Sequence, residues 1–130
     1  MSRLQVETAQ SAPTISDLVA YEVDPNFTRG ERAVTADGDT DYLVGDLIAD
    51  DEGDNVIAGA AATVLAVVIG GRAVKDGDTA NLLTLERGPA RIKDTGVRWP
   101  AGITELQKTA MTATLAGKDI LIVNAVGQYV

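Results

Sequence analysis

Short apolar segments separated by turn residues recur along the chain from about residue 31 to residue 93. Segments of this length, bounded by glycine, proline and aspartate, are typical of β-strands. The longest apolar run, residues 64–69, suits a strand that is buried on both faces. The pattern therefore predicts a mainly β domain, a small barrel-like folded β-ribbon. The predicted strands cover residues 32–35, 42–44, 47–49, 56–58, 63–69, 82–85, 90–92 and 120–123.

One short helix is predicted near the C-terminal end, over about residues 104–116. Thr104 and Gln107 have the spacing of a capping box, in which each side chain satisfies a main-chain N–H of the first turn. Gly117 is a natural C′ residue to end the helix. Apolar residues spaced three or four apart predict one narrow stripe that packs on the sheet. The stripe comprises Ile103, Leu106, Ala110 and Ala113.

A turn precedes this helix and contains the single tryptophan of the chain. Pro100 fixes the backbone after Trp99, and Gly102 follows two residues later. We interpret Trp99 as a side chain that closes one end of a small core. The alternative is a platform on which a sugar ring stacks. A second predicted tight turn is the dipeptide Gly70-Gly71.

The first 20 residues differ from the rest, because they contain all three serines and no glycine. Their two short apolar patches are too small to form a core, so in isolation we expect this segment to be mobile. It is either a disordered tail or an arm that becomes ordered as an added strand on a partner. We therefore divide the chain into an extended arm, residues 1–20, and one β-rich domain, residues 21–130. The candidate contact side chains of the arm are Leu4, Val6, Thr8, Ile15 and Leu18.

Composition limits the size and character of the core. A chain of 130 residues fits one domain, and 45% hydrophobic residues is enough for a core. Aromatic residues make up only 4%, so the core consists mainly of aliphatic side chains. A small domain with such a core often depends on oligomerisation for stability.

The net charge of −8 comes from one acidic block within residues 33–71, a stretch that has no lysine or arginine. This charge repels phosphate and anionic lipid, so we expect neither nucleic acid nor a membrane as partner. The block is expected to form a solvated face that keeps an oligomer soluble. Its members are Asp37, Asp39, Asp41, Asp46, Asp50, Asp51, Glu52 and Asp54.

Candidate catalytic chemistry is sparse. The chain has no histidine for general acid–base work and no cysteine for nucleophilic or metal chemistry. The D-x-D-x-D spacing of residues 37–41 suggests calcium, but Tyr42 and Ile48 stand where an EF-hand requires glycine and glutamate. We therefore predict no enzyme activity, catalytic residue, metal or cofactor.

The beginning of the sequence lacks the apolar core of a signal peptide, so we expect synthesis and retention in the cytoplasm.

The order of several segments along most of residues 16–126 resembles the head decoration proteins of lambda-type tailed phages. The most specific segment begins at Trp99 and continues through the helix to the apolar run of residues 120–123. The acidic residues 50–55 and the tail 124–130 fit the family pattern less well. The other matching segments are residues 16–20 with Glu22, residues 26–29, 34–38 and 43–48, and residues 62–66.

The resemblance implies a β-clip fold and a structural late protein that acts as a homotrimer. It implies that trimers bind the outside of the expanded head at three-fold and quasi-three-fold sites. There they would clamp major capsid (coat) protein subunits against the pressure of packaged DNA, with the arm in contact with the coat. The runner-up is a small β-barrel module that binds glycan or peptide on a phage tail or bacterial surface assembly. Few aromatic residues are available to line a sugar groove.

Overall fold

The computed structural model describes residues 12–124 as a mainly β protein with one longer helix near the C-terminal end, as predicted. All eight predicted strands overlap an observed strand. In chain order the elements are α1 (Ile15–Leu18), β1 (Val19–Glu22), α2 (Pro25–Thr28), β2 (Arg29–Thr35), β3 (Thr40–Tyr42), β4 (Leu47–Asp51), β5 (Asp54–Ile57), β6 (Val64–Gly70), β7 (Arg72–Val74), β8 (Thr79–Leu85), β9 (Ala90–Lys93), a 3₁₀ turn (Asp94–Gly96), α3 (Glu105–Ala116) and β10 (Ile120–Val123).

The strands form three sheets. The largest is antiparallel and has the order β2-β8-β6-β4-β5. A second sheet has the order β10-β9-β1, in which β9 pairs parallel with β10 and antiparallel with β1. Strands β3 and β7 form a separate two-stranded ribbon. Among the described residues, the first β-strand and the last are therefore both neighbours of β9.

The five-stranded sheet is buried on both faces, because successive side chains of its central strands enter two different cores. In β4, Leu47 lies in a core shared with α3 and the three-stranded sheet, whereas its neighbour Ile48 lies in a second core with Tyr42 and Val74 of the ribbon. In β6, Val67 and Val68 divide in the same way. Burial on both faces explains the uninterrupted apolar run of this strand.

The two edge strands of the five-stranded sheet, β2 and β5, approach each other. The side-chain amide of Asn55 in β5 donates a hydrogen bond to the carbonyl of Ala33 in β2, with 2.9 Å between the nitrogen and the oxygen. Arg32 donates to the side-chain oxygen of Asn55 at 3.1 Å. Since a side chain rather than a strand ladder makes the connection, the described sheets include no closed barrel.

The helix α3 begins and ends where the sequence predicts, but it buries a different face. The capping box is present: Gln107 N–H donates to Thr104 Oγ1 at 3.1 Å, and Thr104 N–H donates to Gln107 Oε1 at 3.0 Å. The buried side chains are Met111 and Leu115. The predicted stripe was wrong at Leu106, which is 81% exposed, and at the exposed alanines 110 and 113, whereas Ile103 packs against the larger core. Met111 and Leu115 bury more apolar area than alanines 110 and 113, so this rotation is favourable.

Two predicted glycine roles were also wrong. Gly117 occupies the C-cap of α3 with a right-handed backbone, and the residue with positive φ is Asp119, at +62°. Gly70-Gly71 does not form a hairpin turn, because β7 pairs with β3 rather than with β6. Instead, a Cβ at Gly71 would lie 2.3 Å from the carbonyl oxygen of Tyr42. Glycine there allows the close approach of two backbones as the chain passes from sheet to ribbon.

The folded body begins before residue 21, so the boundary that we predicted between arm and domain lies too late. The side chain of Leu18 is fully buried in the larger core. Strand β1 pairs with β9 over Val19–Glu22. Lys93 Nζ also donates to the carbonyl of Ser16 at 2.9 Å. Residues 15–20 are thus part of the body, because they complete its smaller mixed sheet and fill its core.

Candidate interaction surfaces

The candidate contact residues of the arm fall into two groups. Leu4, Val6 and Thr8 lie outside the described residues. Ile15 is half-buried against the core, and Leu18 has no exposed surface. The prediction that Leu18 contacts a partner is therefore wrong for the folded chain, since its side chain already fills the interior.

The first described turn shows how the chain enters the body. Thr14 caps α1: its N–H donates to Asp17 Oδ2 at 2.7 Å, and its hydroxyl donates to the same oxygen at 3.2 Å. The hydroxyl oxygens of Ser16 and Thr14 lie 3.1 Å apart. Thr14, Ser16 and Asp17 therefore form a local hydrogen-bonded cluster. This cluster fixes the conformation of the chain at the start of α1.

The turn around Trp99 joins the helix to the core. The indole Nε1–H donates to Asp94 Oδ1 at 3.2 Å, and Lys108 Nζ lies 4.9 Å from the centroid of the ring. Lys108 also forms an ion pair with Asp94 at 3.2 Å. Trp99 is half-buried against the larger core, which supports its role as a core-closing side chain. Because the Trp99 ring already packs against the core and lies close to Lys108, it is poorly placed to stack on a sugar ring.

Pro100 and Gly102 shape the same turn. The N–H of Ile103 donates to the carbonyl of Pro100 at 3.2 Å, and Gly102 has a φ of +73°. The chain therefore reverses immediately before Thr104, where the helix is capped. The five turn and cap residues that the sequence indicates, at positions 99, 100, 102, 104 and 107, lie together as one structural unit.

Exposed apolar side chains and arginines lie beside strand β1. We call this region the aromatic–arginine surface; it comprises Tyr21, Val23, Phe27, Arg87 and Arg91. Tyr21 and Val23 are each 49% exposed, and Phe27 is 55% exposed. The guanidinium of Arg87 lies 5.4 Å from the centroid of the Phe27 ring, and that of Arg91 lies 5.8 Å from the Tyr21 ring. Tyrosine, phenylalanine and arginine are enriched in protein–protein interfaces.

An ion pair supports this surface from beneath. Arg29 Nε donates to both carboxylate oxygens of Glu22, at 3.0 and 3.1 Å, and the hydroxyl of Thr28 also donates to Glu22. The hydrogen bond from Arg29 lowers the pKa of Glu22 and outweighs the opposing effect of burial. These contacts hold β1 against the start of β2.

A second ion pair lies where the edge strands meet. Arg32 donates to both carboxylate oxygens of Glu86, at 2.9 and 2.8 Å. Burial alone would raise the pKa of Glu86, but hydrogen bonds from Arg32 and Thr84 outweigh burial and lower it. Sequence patterns could not identify this pair, because its members are 54 residues apart.

Both lowered pKa values predict that the protein loses stability in acid. A glutamate with a lowered pKa in the folded state stabilises the fold above its ordinary value of 4.5, and this contribution disappears as the pH falls through the folded value. The Glu86→Gln variant should lose about 1–3 kcal/mol of unfolding free energy at pH 7. The difference from the native chain should shrink as the pH falls through the lowered pKa of Glu86.

Urea unfolding at one fixed protein concentration, at pH 7 and pH 2, measures this difference. The control is Glu31→Gln, since the Glu31 side chain is exposed on the same sheet and makes no hydrogen bond or ion pair within the described residues. It should change stability by less than about 0.5 kcal/mol at either pH. An equal effect of the two variants at pH 7 would contradict the role assigned to the Arg32–Glu86 pair.

The acidic block divides into exposed and buried members. Asp50, Asp51, Glu52 and Asp54 are exposed around the turn between β4 and β5, and we call this turn with its flanking strands the acidic hairpin, residues 47–57. None of these four carboxylates forms an ion pair within the described residues.

Asp46 does not belong to the solvated face. Its side chain is only 8% exposed, Arg98 Nε donates to its Oδ1 at 2.8 Å, and Leu43 N–H donates to its Oδ2 at 2.8 Å. A carboxylate can be buried here because both of its oxygens accept hydrogen bonds. The reading of the whole block as solvated was therefore wrong at this residue.

The carboxylates do not assemble into a metal site in the described part of the chain, where no group of three or more potential ligands is close enough to bind an ion. The turns at residues 37–39 and 75–78 instead bind each other. Asp76 N–H donates to Asp39 Oδ1, and Gly38 N–H donates to Asp76 Oδ1, each at 2.9 Å.

Over residues 12–124, no helix has the length and apolar character needed to span a membrane.

Fold and surfaces together define a small β-rich protein whose exposed side chains suit contact with other proteins. A family model described as "Bacteriophage lambda head decoration protein D" matches residues 8–120, which is most of the chain. The chain belongs to this family of phage head decoration proteins, which are structural proteins of the virion capsid. A comparison with curated proteins found no match.

Proposed function

We propose that this protein is a capsid cement protein: it binds the outside of the expanded head and stabilises it against the pressure of packaged DNA. The observation that carries the proposal is the family match over residues 8–120. A folded body with an attached N-terminal segment supports it, because such a protein can join coat subunits by surface contacts alone. In this proposal it is made in the host cytoplasm, has no catalytic role, and has coat protein as its partner.

We further propose that the arm binds the coat through Leu4, Val6 and Thr8. These residues alternate along the sequence, so in an extended strand they point to one side. Main-chain hydrogen bonds to an edge of the coat protein would supply affinity, and these three side chains would supply specificity. Ile15 remains a candidate at the base of the arm, because it is half-buried rather than fully buried.

We propose that the protein assembles as a homotrimer and binds three-fold and quasi-three-fold sites. A closed three-fold ring suits a site with the same symmetry. Sedimentation equilibrium at micromolar concentration should give about three times the chain mass of 13.5 kDa. Mixing the protein with undecorated expanded heads should then produce decorated heads that withstand heat or loss of divalent cations better than bare heads.

Two outcomes would contradict this proposal. Sedimentation that shows only the 13.5 kDa species would exclude the trimer at that concentration. Failure to attach to expanded heads, together with binding of a glycan or peptide, would favour the alternative of a small binding module.

A further inference from the structure

We propose that Arg98 binds a carboxylate of the coat protein, and that this is where the folded body contacts the coat surface that receives the arm. The inference rests on the proposed function and adds a contact residue outside the arm and the chemistry of the group that it binds. Three features of the body support it: the free guanidinium nitrogens of Arg98, the two grooves that this side chain lines, and the point where the arm joins the body.

The Arg98 side chain is held in place on one side and open on the other. Its Nε donates to Oδ1 of the buried Asp46 at 2.8 Å, and its main-chain N–H donates to the carbonyl of Gly45 at 2.9 Å. The side chain is 50% exposed, and its Nη1 and Nη2 make no hydrogen bond or ion pair with any described residue. These two nitrogens can donate to a partner while Nε keeps its bond to Asp46. A side chain that is already positioned loses less entropy when an interface forms.

Arg98 lines two grooves on the surface. The first has a volume of 420 Å³, and its lining includes Trp99 and the apolar side chain of Ile57, which is 45% exposed. The second has a volume of 380 Å³, and its lining includes Pro13 and Thr95. Arginine and tryptophan are enriched among the residues that contribute most to binding in protein interfaces. The grooves leave room for side chains of a partner on either side of the guanidinium.

The arm joins the body at the second groove. Pro13 lines this groove together with Arg98. Only Ala12 separates Pro13 from residues 1–11, and two extended residues span at most about 7 Å. A coat surface that receives residues 1–11 must therefore begin within reach of Arg98. Continuity with the proposed arm contact makes the coat protein, rather than a second copy of this chain, the occupant.

Charge indicates which group of the coat Arg98 binds. Arg98 is the only lysine or arginine in the lining of either groove. Of the three aspartates in the two linings, Asp46 is paired with Arg98, and Asp17 accepts hydrogen bonds from Thr14. Asp41, in the first groove, has no partner for its carboxylate within residues 12–124, so a carboxylate of the coat should approach from the second groove. The planar guanidinium can bind that carboxylate through two parallel hydrogen bonds, from Nη1 and Nη2.

Two substitutions test this contact. Arg98→Lys keeps a positive charge to pair with Asp46 but removes the planar pair of donors. Thr95→Glu adds a carboxylate to the lining of the second groove, where it competes with the coat for Arg98. Each should weaken attachment to undecorated expanded heads by at least about tenfold. Titration of heads with the purified protein at low and high salt measures attachment, and circular dichroism melting checks folding.

Thr109→Glu is the matched control for Thr95→Glu. Thr109 is exposed on α3 and lines neither groove, yet the substitution changes the net charge by the same amount. This variant should attach to heads as tightly as the native chain. If Arg98→Lys loses its fold, Thr95→Glu still tests the contact, because Thr95 is exposed and its side chain makes no hydrogen bond to the described part of the chain.

Asp41→Asn tests the sign of the charge on the partner. It removes a negative charge from the first groove, so it should strengthen attachment by about twofold at low salt, where charges are least screened. Weaker attachment of this variant would mean that the coat presents a cation to the groove, and the assignment of a carboxylate would be wrong.

The outcomes separate this inference from the proposed function. If the native chain attaches to heads and both Arg98→Lys and Thr95→Glu attach equally tightly, Arg98 is not a coat contact, while the proposed function stands. If either folded variant loses the trimer in sedimentation equilibrium, the occupant of the grooves is a second copy and the inference is overturned. A native chain that does not attach to expanded heads would contradict both proposals.

Discussion

Deletion of residues 2–20 is expected to unfold the protein, whereas deletion of residues 2–11 should leave the body folded and remove most attachment to expanded heads. The longer deletion removes Leu18 from the larger core and the start of β1 from β9. Loss of a fully buried leucine side chain alone costs about 2–5 kcal/mol, and a domain has only about 5–15 kcal/mol in total. The shorter deletion removes no described residue.

Circular dichroism melting and a head-binding assay distinguish the two deletions. The single substitution Leu18→Ala serves as an intermediate case: it keeps the whole arm, yet it should lower stability by about 2–5 kcal/mol. Tight binding to heads by the shorter deletion would show that residues 2–11 are a tail without a role in attachment. A folded, stable product of the longer deletion would contradict the burial of Leu18.

Substitution of Gly45 by alanine is the second change expected to have a large effect. Gly45 has a φ of +99°, and a Cβ at this position would lie 2.0 Å from the carbonyl oxygen of Gly96. The backbone cannot move away easily, since Gly45 N–H donates to Val68 and its carbonyl accepts from Arg98 N–H, at 2.8 and 2.9 Å. The expected loss of unfolding free energy is about 4 kcal/mol or more.

Gly38→Ala is the matched control for this substitution. Gly38 also has a positive φ, +80°, but a Cβ there would meet no atom within 4 Å. Its cost should be only the backbone penalty of about 1–2 kcal/mol. Urea unfolding of both variants at one protein concentration measures the difference. Equal losses would show that the contact between the backbones at Gly45 and Gly96 contributes little beyond conformational strain.

Local sequence patterns predicted most elements of the fold because each pattern reflects a local physical requirement. Alternating and continuous apolar runs identified the strands, and the Thr104–Gln107 capping box identified the start of α3. Strand β7 was missed, since Arg72–Val74 is short and mostly exposed. Its pairing with β3 depends on contacts between residues far apart in the sequence, which no local pattern contains.

The errors at the candidate surfaces have the same origin. Spacing alone could not decide which face of α3 is buried, because the choice depends on the sizes of Met111 and Leu115 relative to the core. Leu18 looked like part of a detachable arm until β9 provided a strand for β1 to join. Asp46 looked solvated because its partner, Arg98, lies 52 residues away.

The Asn55 bridge between β2 and β5 has a consequence for the protein at high local concentration, as when many copies accumulate on one particle. The open edge of a sheet is a template onto which another chain can add a strand, and exposed edges promote aggregation. Here the two edges of the largest sheet face each other, and the side-chain amide of Asn55 donates a hydrogen bond to the carbonyl of Ala33. Arg32 holds that amide in position. The Asn55 side chain thus satisfies one edge carbonyl at the place where a closed barrel would have needed another ladder of main-chain hydrogen bonds, so this edge offers less of a template to another chain.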